Sequence, residues 1–207
     1  MKKQYHRQIT QEALEQYFQP SALETIFAAN LGQDALHYQI GHDHFHYDGN
    51  SFAAGDAYVV DQRRLTLAAI QRSDALFARE SFGRLTHTVQ DLYAHSNYVS
   101  LWREHYPDRA AREIDPVLPE LLQDPRLRSG RLYYPLEVFS FIAVFKPAVL
   151  PLLPCDSHAW MNMDDPERPG FEYAFAAAVK RTRTEYLSIA AELIGTQVNL
   201  FTGNPAQ

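Results

Sequence analysis

Apolar residues recur along this chain at helical spacing, and the two-residue alternation of a half-buried strand is scarce. Ile9, Ala13, Leu14 and Tyr17 mark a first amphipathic helix, with Thr10 as an early cap. Pro20 reads as a stop, and Ser21 with Glu24 as the capping box of a second helix carried by Leu23, Ile26, Phe27 and Leu31 to Gly32. Gly41 to Ser51 is a polar, glycine-punctuated loop. A long helix then follows through Leu65, Ala68, Ala69, Leu76 and Phe77. Ser81 predicts the cap of the next helix, which runs to about Trp102. Asp115-Pro116 signals a short helix, and Pro135 opens a nearly apolar one from Leu136 to Leu150, expected at the centre of the fold. Pro151 to Gly170 reads as irregular, and a last helix covers about Phe171 to Ile194 with Gly195 as its stop. The prediction is an all-α fold, a single multi-helix domain over residues 1–207, uninterrupted by repeats or linkers.

On the helix after Ser81 stand His87, Asp91 and His95. Each step of four residues turns about 40° past a full circle, so the three share an arc of about 80°. They rise about 6 Å apart, which leaves the two imidazoles about 12 Å from one another, too far to share one ion with bonds of about 2 Å. A carboxylate between two or more ions is the arrangement this spacing suits. A buried helix face with hydrogen-bonded histidines is the plainer alternative.

The rest of the chain bears on that choice. Of nine histidines, His37, His42, His44, His46 and His87 fall close together, with Asp34, Asp43 and Asp48 among them. Imidazole with carboxylate and no paired thiols is the ligand set of catalytic zinc, iron or manganese. The loop from His42 to Asp48 is either a second ligand cluster or a solvated turn. His6 could reach inward from before the first helix, and His158 lies in the proline-rich segment. Cys155 is the single cysteine, so no internal disulfide exists; it reads as a small buried hydrophobe, and a reducing compartment suits it. Phe45, Tyr47, Tyr93 and Trp160 either shape a lipid or base pocket or belong to the core.

Net charge of −6 argues against duplex nucleic acid as a partner. Met1-Lys2-Lys3 is basic without the apolar run of a signal peptide, and the longest apolar stretch, Val138 to Leu153, is broken by Lys146, Pro147 and Pro151. A cytoplasmic protein is expected, with peripheral membrane contact through that stretch as a further option. Gly-rich phosphate loops, Gly-x-Ser-x-Gly elbows and His-Glu-x-x-His are absent.

Leu85-x-His87-Thr88-x-x-Asp91-x-x-Ala94-His95-Ser96-Asn97 resembles the central signature of the Het-C-type proteins, which are similar to the zinc-dependent phospholipase C superfamily with its single-strand nucleases. His6-x-x-Ile9-Thr10-x-x-Ala13-Leu14, Asn30-x-x-x-Asp34, His46-Tyr47-Asp48 with Phe52, and His158-Ala159-x-x-Asn162-x-Asp164 extend the resemblance. It implies the phospholipase C fold and one to three zinc ions, with Asp34, His46, His87 and Asp91 around one. His6 with Asp91 would approach a second, and His95 with His158 a third; His44 is the alternative to His46. Two departures stand out. The second gap of the helical triplet is three residues, where the superfamily has five. Asn162 occupies the place of a carboxylate, with Asp164 and Asp165 just beyond. The resemblance implies a zinc-dependent phosphoester hydrolase of phospholipase C or phosphodiesterase type, in which metal-bound hydroxide attacks phosphorus and Asp34 and Asp91 carry catalysis on a phospholipid or nucleotide-like substrate. The alternative is a non-catalytic metal-binding or interaction protein that keeps the fold.

Overall fold

The computed structural model describes residues 1–39, 41–142 and 144–205. The chain is all-helical: α1 (Lys3–Leu14), α2 (Pro20–Gly32), α3 (Leu36–Gln39), α4 (Phe52–Gln71), α5 (Ala75–His95), α6 (Tyr98–His105), α7 (Pro119–Leu122), α8 (Lys146–Val149), α9 (His158–Met161), α10 (Phe171–Ala190) and α11 (Gly195–Thr202). Short 3-10 turns fill several of the connections, and two isolated bridges, Ser96 with Ser129 and Arg131 with Ser157, are the β-type pairings among the described residues. Among those residues no helix is long and apolar enough to cross a membrane.

The centre is α5, which packs against α2, α4 and α10, while α1 lies across α2 and α10. From Leu85 to His95 every residue of α5 is buried, the polar ones included. The helix starts earlier than expected. Asp74 is its cap, accepting from the Phe77 N–H, and the break from α4 falls at Ser73 with φ 62°. Ser81 is a buried interior residue. The helix also stops earlier, at His95, because Ser96 turns extended to meet Ser129 before α6 begins. Phe18, Phe82, Tyr186 and Phe201 form an aromatic knot with ring centroids 5.1 to 6.4 Å apart, joining the end of α1 to α5, α10 and α11.

Several other boundaries shift for local reasons. Pro20 opens α2 at its first position, where a missing N–H costs nothing, and Gln19 is the cap without a side-chain bond. Thr10 lies inside α1 and is buried. Asp115 accepts from the Val117 N–H in a turn, and the helix forms later, at α7. Gly195 begins α11, and Gly203, at φ 79°, ends it. The largest correction concerns residues 136–150. No central helix forms there; a 3-10 turn at Leu136–Phe141, the short α8 and another 3-10 turn at Leu150–Leu152 take its place, mostly at the surface. Pro147 and Pro151 remove N–H donors that a continuous helix would need. Ala143, inside the expected helix, lies outside the described residues. Cys155 is exposed.

The fit of α5 against α2 depends on Gly83, one turn before His87. A Cβ there would meet the Ile26 carbonyl oxygen at 2.5 Å and the Ala29 Cβ at 2.7 Å. Neither neighbour is the end of a flexible side chain, so the two helices would have to separate. Gly83→Ala is expected to lower the free energy of unfolding by about 1–3 kcal/mol, read as a fall in the urea midpoint at unchanged slope. An unchanged midpoint would show that the helices are not held at this separation.

Candidate metal centre

Four parts of the chain converge on the polar face of α5. His6 comes from the first turn of α1, Asp34 from just beyond α2, His46 and Asp48 from the loop before α4, and His158 from the start of α9. Their convergence has local causes. Tyr47 sits in the left-handed region at φ 56°, a strained position for an aromatic residue. Its ring packs where Gly55 has no Cβ, and its hydroxyl donates to Asp56. With the buried Tyr47 ring held against α4, its neighbours His46 and Asp48 face α5. His158 is placed by Gly130, where a Cβ would strike the His158 Cα at 2.6 Å, and by the bond from the His158 N–H to the Arg131 carbonyl. Ser157 caps α9 by accepting from the Trp160 N–H.

The contacts form a row centred on Asp91, whose side chain is wholly buried. Its Oδ2 lies 2.9 Å from His46 Nδ1 and 3.0 Å from His87 Nε2, and those two nitrogens are 3.1 Å apart. His87 Nε2 is also 3.8 Å from Asp34 Oδ1. The other oxygen, Oδ1, lies 3.2 Å from His6 Nε2, 3.6 Å from His95 Nε2 and 2.7 Å from the Met1 ammonium. That ammonium is 3.1 Å from Asp164 Oδ1 and 3.0 Å from His95 Nε2. A third group follows: Asp48 Oδ1 accepts from His158 Nδ1 at 3.0 Å and faces His95 Nδ1 at 3.4 Å, while Asp164 stands 3.4 Å from His95 Nε2 and 3.9 Å from His158 Nε2.

Three buried clusters could therefore each hold an ion: His6 with Asp34 and His87, His46 with His87 and Asp91, and Asp48 with His95 and His158. The geometry fits. Four ligands about 2.0–2.1 Å from a tetrahedral ion lie about 3.3 Å from one another, and the edges that join Asp91 Oδ2, His46 Nδ1, His87 Nε2 and Asp34 Oδ1, at 2.9, 3.0, 3.1 and 3.8 Å, fall on either side of that value. Hydrogen bonding alone fits poorly. If both imidazole nitrogens carry protons, the two N–H groups crowd each other at 3.1 Å; if only one does, the lone pair of the other faces the Asp91 carboxylate at 2.9 to 3.0 Å, and a cation between them removes either conflict. His6 Nε2 has no hydrogen-bond partner although it is buried against Asp91. The donor set, imidazole and carboxylate without thiolate, suits zinc.

Without a metal, charge is concentrated along this row. Burial works against the charged form of Asp91, yet His95, the Met1 ammonium, His87 and His6 hold its carboxyl well below the usual range. Burial likewise opposes ionisation of Asp48 and Asp164, and their imidazole and ammonium neighbours overcome it. Burial pushes the His87 imidazole down to about 4, which keeps it neutral and able to donate a lone pair. His95 is held well above its ordinary value, against burial, by Asp91 and Asp48.

Of the residues expected from the sequence, His6, Asp34, His46, His87, Asp91, His95 and His158 come together. His44 does not; its half-buried ring packs on Phe45 and Tyr58, outside all three clusters. Asp48 belongs to the centre; the sequence places it among the candidate carboxylates of the His42 to Asp48 loop without assigning it to an ion. Asp164 also reaches it, because the chain leaves α9 at an extended Asn162 and turns back. Tyr47 and Tyr93 are core residues with their hydroxyls bonded to Asp56 and the Pro116 carbonyl, whereas Trp160 is exposed at the surface.

Residues 2–113, just over half of the chain, match the family model of the VWA7 N-terminal domain. That span contains every converging residue except Met1, His158 and Asp164. The protein called von Willebrand factor A domain-containing protein 7 from Homo sapiens is 35% identical over 81 residues, which cover 39% of this chain and 9% of that protein. Its counterpart from Mus musculus is 33% identical over a stretch of the same extent. The matched region is thus a small part of the curated relatives' length, and no solved structure matches. The residues that carry the Het-C-type resemblance up to Asn97 lie inside the matched span, and on that match the chain belongs to the VWA7 N-terminal domain family.

Proposed function

We propose that this chain is a zinc-dependent phosphoester hydrolase of phospholipase C or phosphodiesterase type. The observation that carries the reading is Asp91, a fully buried carboxylate whose two oxygens face separate sets of imidazoles. Its side chain has 0% exposure, while Asp34 reaches 13% and Asp164 reaches 22%, so the row opens to solvent towards its ends. Asp91 with His46, His87 and Asp34 would hold one ion, His6 with Asp91 a second, and His95 with His158, Asp48 and Asp164 a third. Zinc, when bound, supplies a Lewis acid that polarises a phosphoryl oxygen and acidifies water. Asp34 would either complete the ligands of the first ion or act as the base that orients the attacking water and takes its proton. His95 is kept in place by its Nδ1, which lies 3.2 Å from the His46 carbonyl.

A lipid phosphoester is the favoured substrate class. Tyr134, Phe139, Ile142, Val144, Phe145 and Leu152 are exposed on the segment that leads into His158. Lys146 is the one exposed charged residue described between Tyr133 and Leu153, since Glu137 is buried and accepts the N–H groups of Tyr133 and Ala159. An apolar surface with a cation and aromatic side chains matches the interface of a membrane with anionic headgroups.

Protein purified without a metal-affinity tag is expected to carry two or more equivalents of zinc by plasma mass spectrometry. His87→Ala/Asp91→Ala should lose them, His46→Ala should lose about one, and His44→Ala should lose none. Hydrolysis of bis(4-nitrophenyl) phosphate should vanish with a chelator, return with zinc, and stay at background in His87→Ala. Zinc-loaded protein inert towards lipids, nucleic acids and generic esters would instead favour the non-catalytic binding role.

On vesicles of phosphatidylcholine with phosphatidylserine, the chain is expected to co-sediment, and Phe139→Asp/Phe145→Asp should weaken binding by on the order of tenfold or more. Circular dichroism and zinc content should be unchanged in that variant. Equal sedimentation of parent and variant would remove the apolar segment as the contact.

A further inference from the structure

Gln90 precedes Asp91 on α5, is fully buried and belongs to none of the three clusters. Its amide is oriented by its neighbours. Nε2 donates to the Thr10 hydroxyl of α1 at 2.9 Å and to the Thr182 hydroxyl of α10 at 3.1 Å. Oε1 lies 2.7 Å from His6 Nδ1 and 3.3 Å from Asn30 Nδ2 of α2. The reverse orientation is blocked one step further out. The Thr86 hydroxyl donates to the Gly83 carbonyl, so it can only accept from Asn30, which turns the Asn30 NH₂ towards Thr86 and Gln90 alike. An NH₂ of Gln90 in place of Oε1 would then face another NH₂. Oε1 must be the atom towards His6, so His6 Nδ1 must be the donor.

The consequence falls on the other side of the ring. With its proton on Nδ1, the neutral His6 ring presents the Nε2 lone pair to Asp91 Oδ1 at 3.2 Å, and Nε2 has no hydrogen-bond partner. A lone pair facing a carboxylate oxygen is repulsive unless a positive charge lies between them. We propose that Gln90 is a positioning residue that fixes His6 in the Nδ1–H tautomer and so dedicates Nε2 to a cation shared with Asp91. The cation rests on the metal reading above; the tautomer does not.

Two measurements separate these. Long-range ¹H–¹⁵N correlation spectra of the metal-free protein report which His6 nitrogen carries the proton. Zinc affinity comes from competition with a chromophoric chelator. The wild-type chain is expected to show His6 protonated on Nδ1. Gln90→Met should lose that preference and bind zinc 10–100-fold more weakly, the range seen when an outer partner of a metal-bound histidine is removed. Gln90→Glu keeps an acceptor towards His6 and should retain the tautomer and most of the affinity, which also covers the case in which the Met variant fails to fold. Protonation on Nε2 in the wild type would overturn the proposal, as would a Met variant with unchanged tautomer and affinity. The expected tautomer in a wild-type protein that takes up no zinc would refute the metal reading while sustaining the control of His6 by Gln90.

Discussion

A carboxylate with no exposure to water must be surrounded by groups that replace its hydration, and Asp91 sets that demand at the centre of this fold. Withdrawing a charge of this kind from water costs several kcal/mol after relaxation, so it persists only among polar or positive neighbours. Those neighbours come from α1, from the loop before α4 and from α5 itself. Each must approach closely, and close approach governs the rest of the design. Gly83 lets α2 lie against α5, and Gly130 lets the chain pass across His158.

The polar stripe on α5 is organised as a sequence of shared atoms. Asp91 Oδ2 serves His46 and His87, Oδ1 serves His6 and His95, and His95 passes the row on to Asp48 and Asp164 through its two ring nitrogens. Around this row lies a second set of amides and hydroxyls, Gln90, Asn30, Thr86, Thr10 and Thr182, which is buried and hydrogen-bonded almost throughout. Such a set specifies one arrangement of four helices as well as any apolar contact does, because each misplacement strands a polar atom.

The helical triplet was legible because His87, Asp91 and His95 follow the period of an α-helix, and that period survives burial. The position of their helix in the fold was not. Hydropathy assigned the centre to residues 136–150, since a run of apolar side chains normally seeks the core, while the true central helix carries His, Asp, Gln and Thr. Prolines decided the matter by denying the apolar run its backbone bonds. Asp48 and Asp164 stood in the sequence as nearby carboxylates without a place at an ion, for another reason. Their places depend on the left-handed Tyr47 and the extended Asn162, turns of the backbone that no spacing rule encodes. The same holds for His44 and His46, two residues apart, where the anchoring of the buried Tyr47 ring against α4 decides which imidazole faces α5.

The segment from Leu132 to Asp156 leaves and rejoins the helical body at one narrow neck, where Arg131 and Ser157 lie side by side and the Arg131 N–H and carbonyl bond to Asp156 and His158. The neck is joined by two further ties to α9: Glu137 Oε1 accepts the Ala159 N–H, and the Trp160 indole donates to the Leu150 carbonyl. Exposed positions of the excursion such as Val144 and Phe145 can therefore change in sequence without disturbing His158, whereas a change at Glu137 reaches the residue beside it.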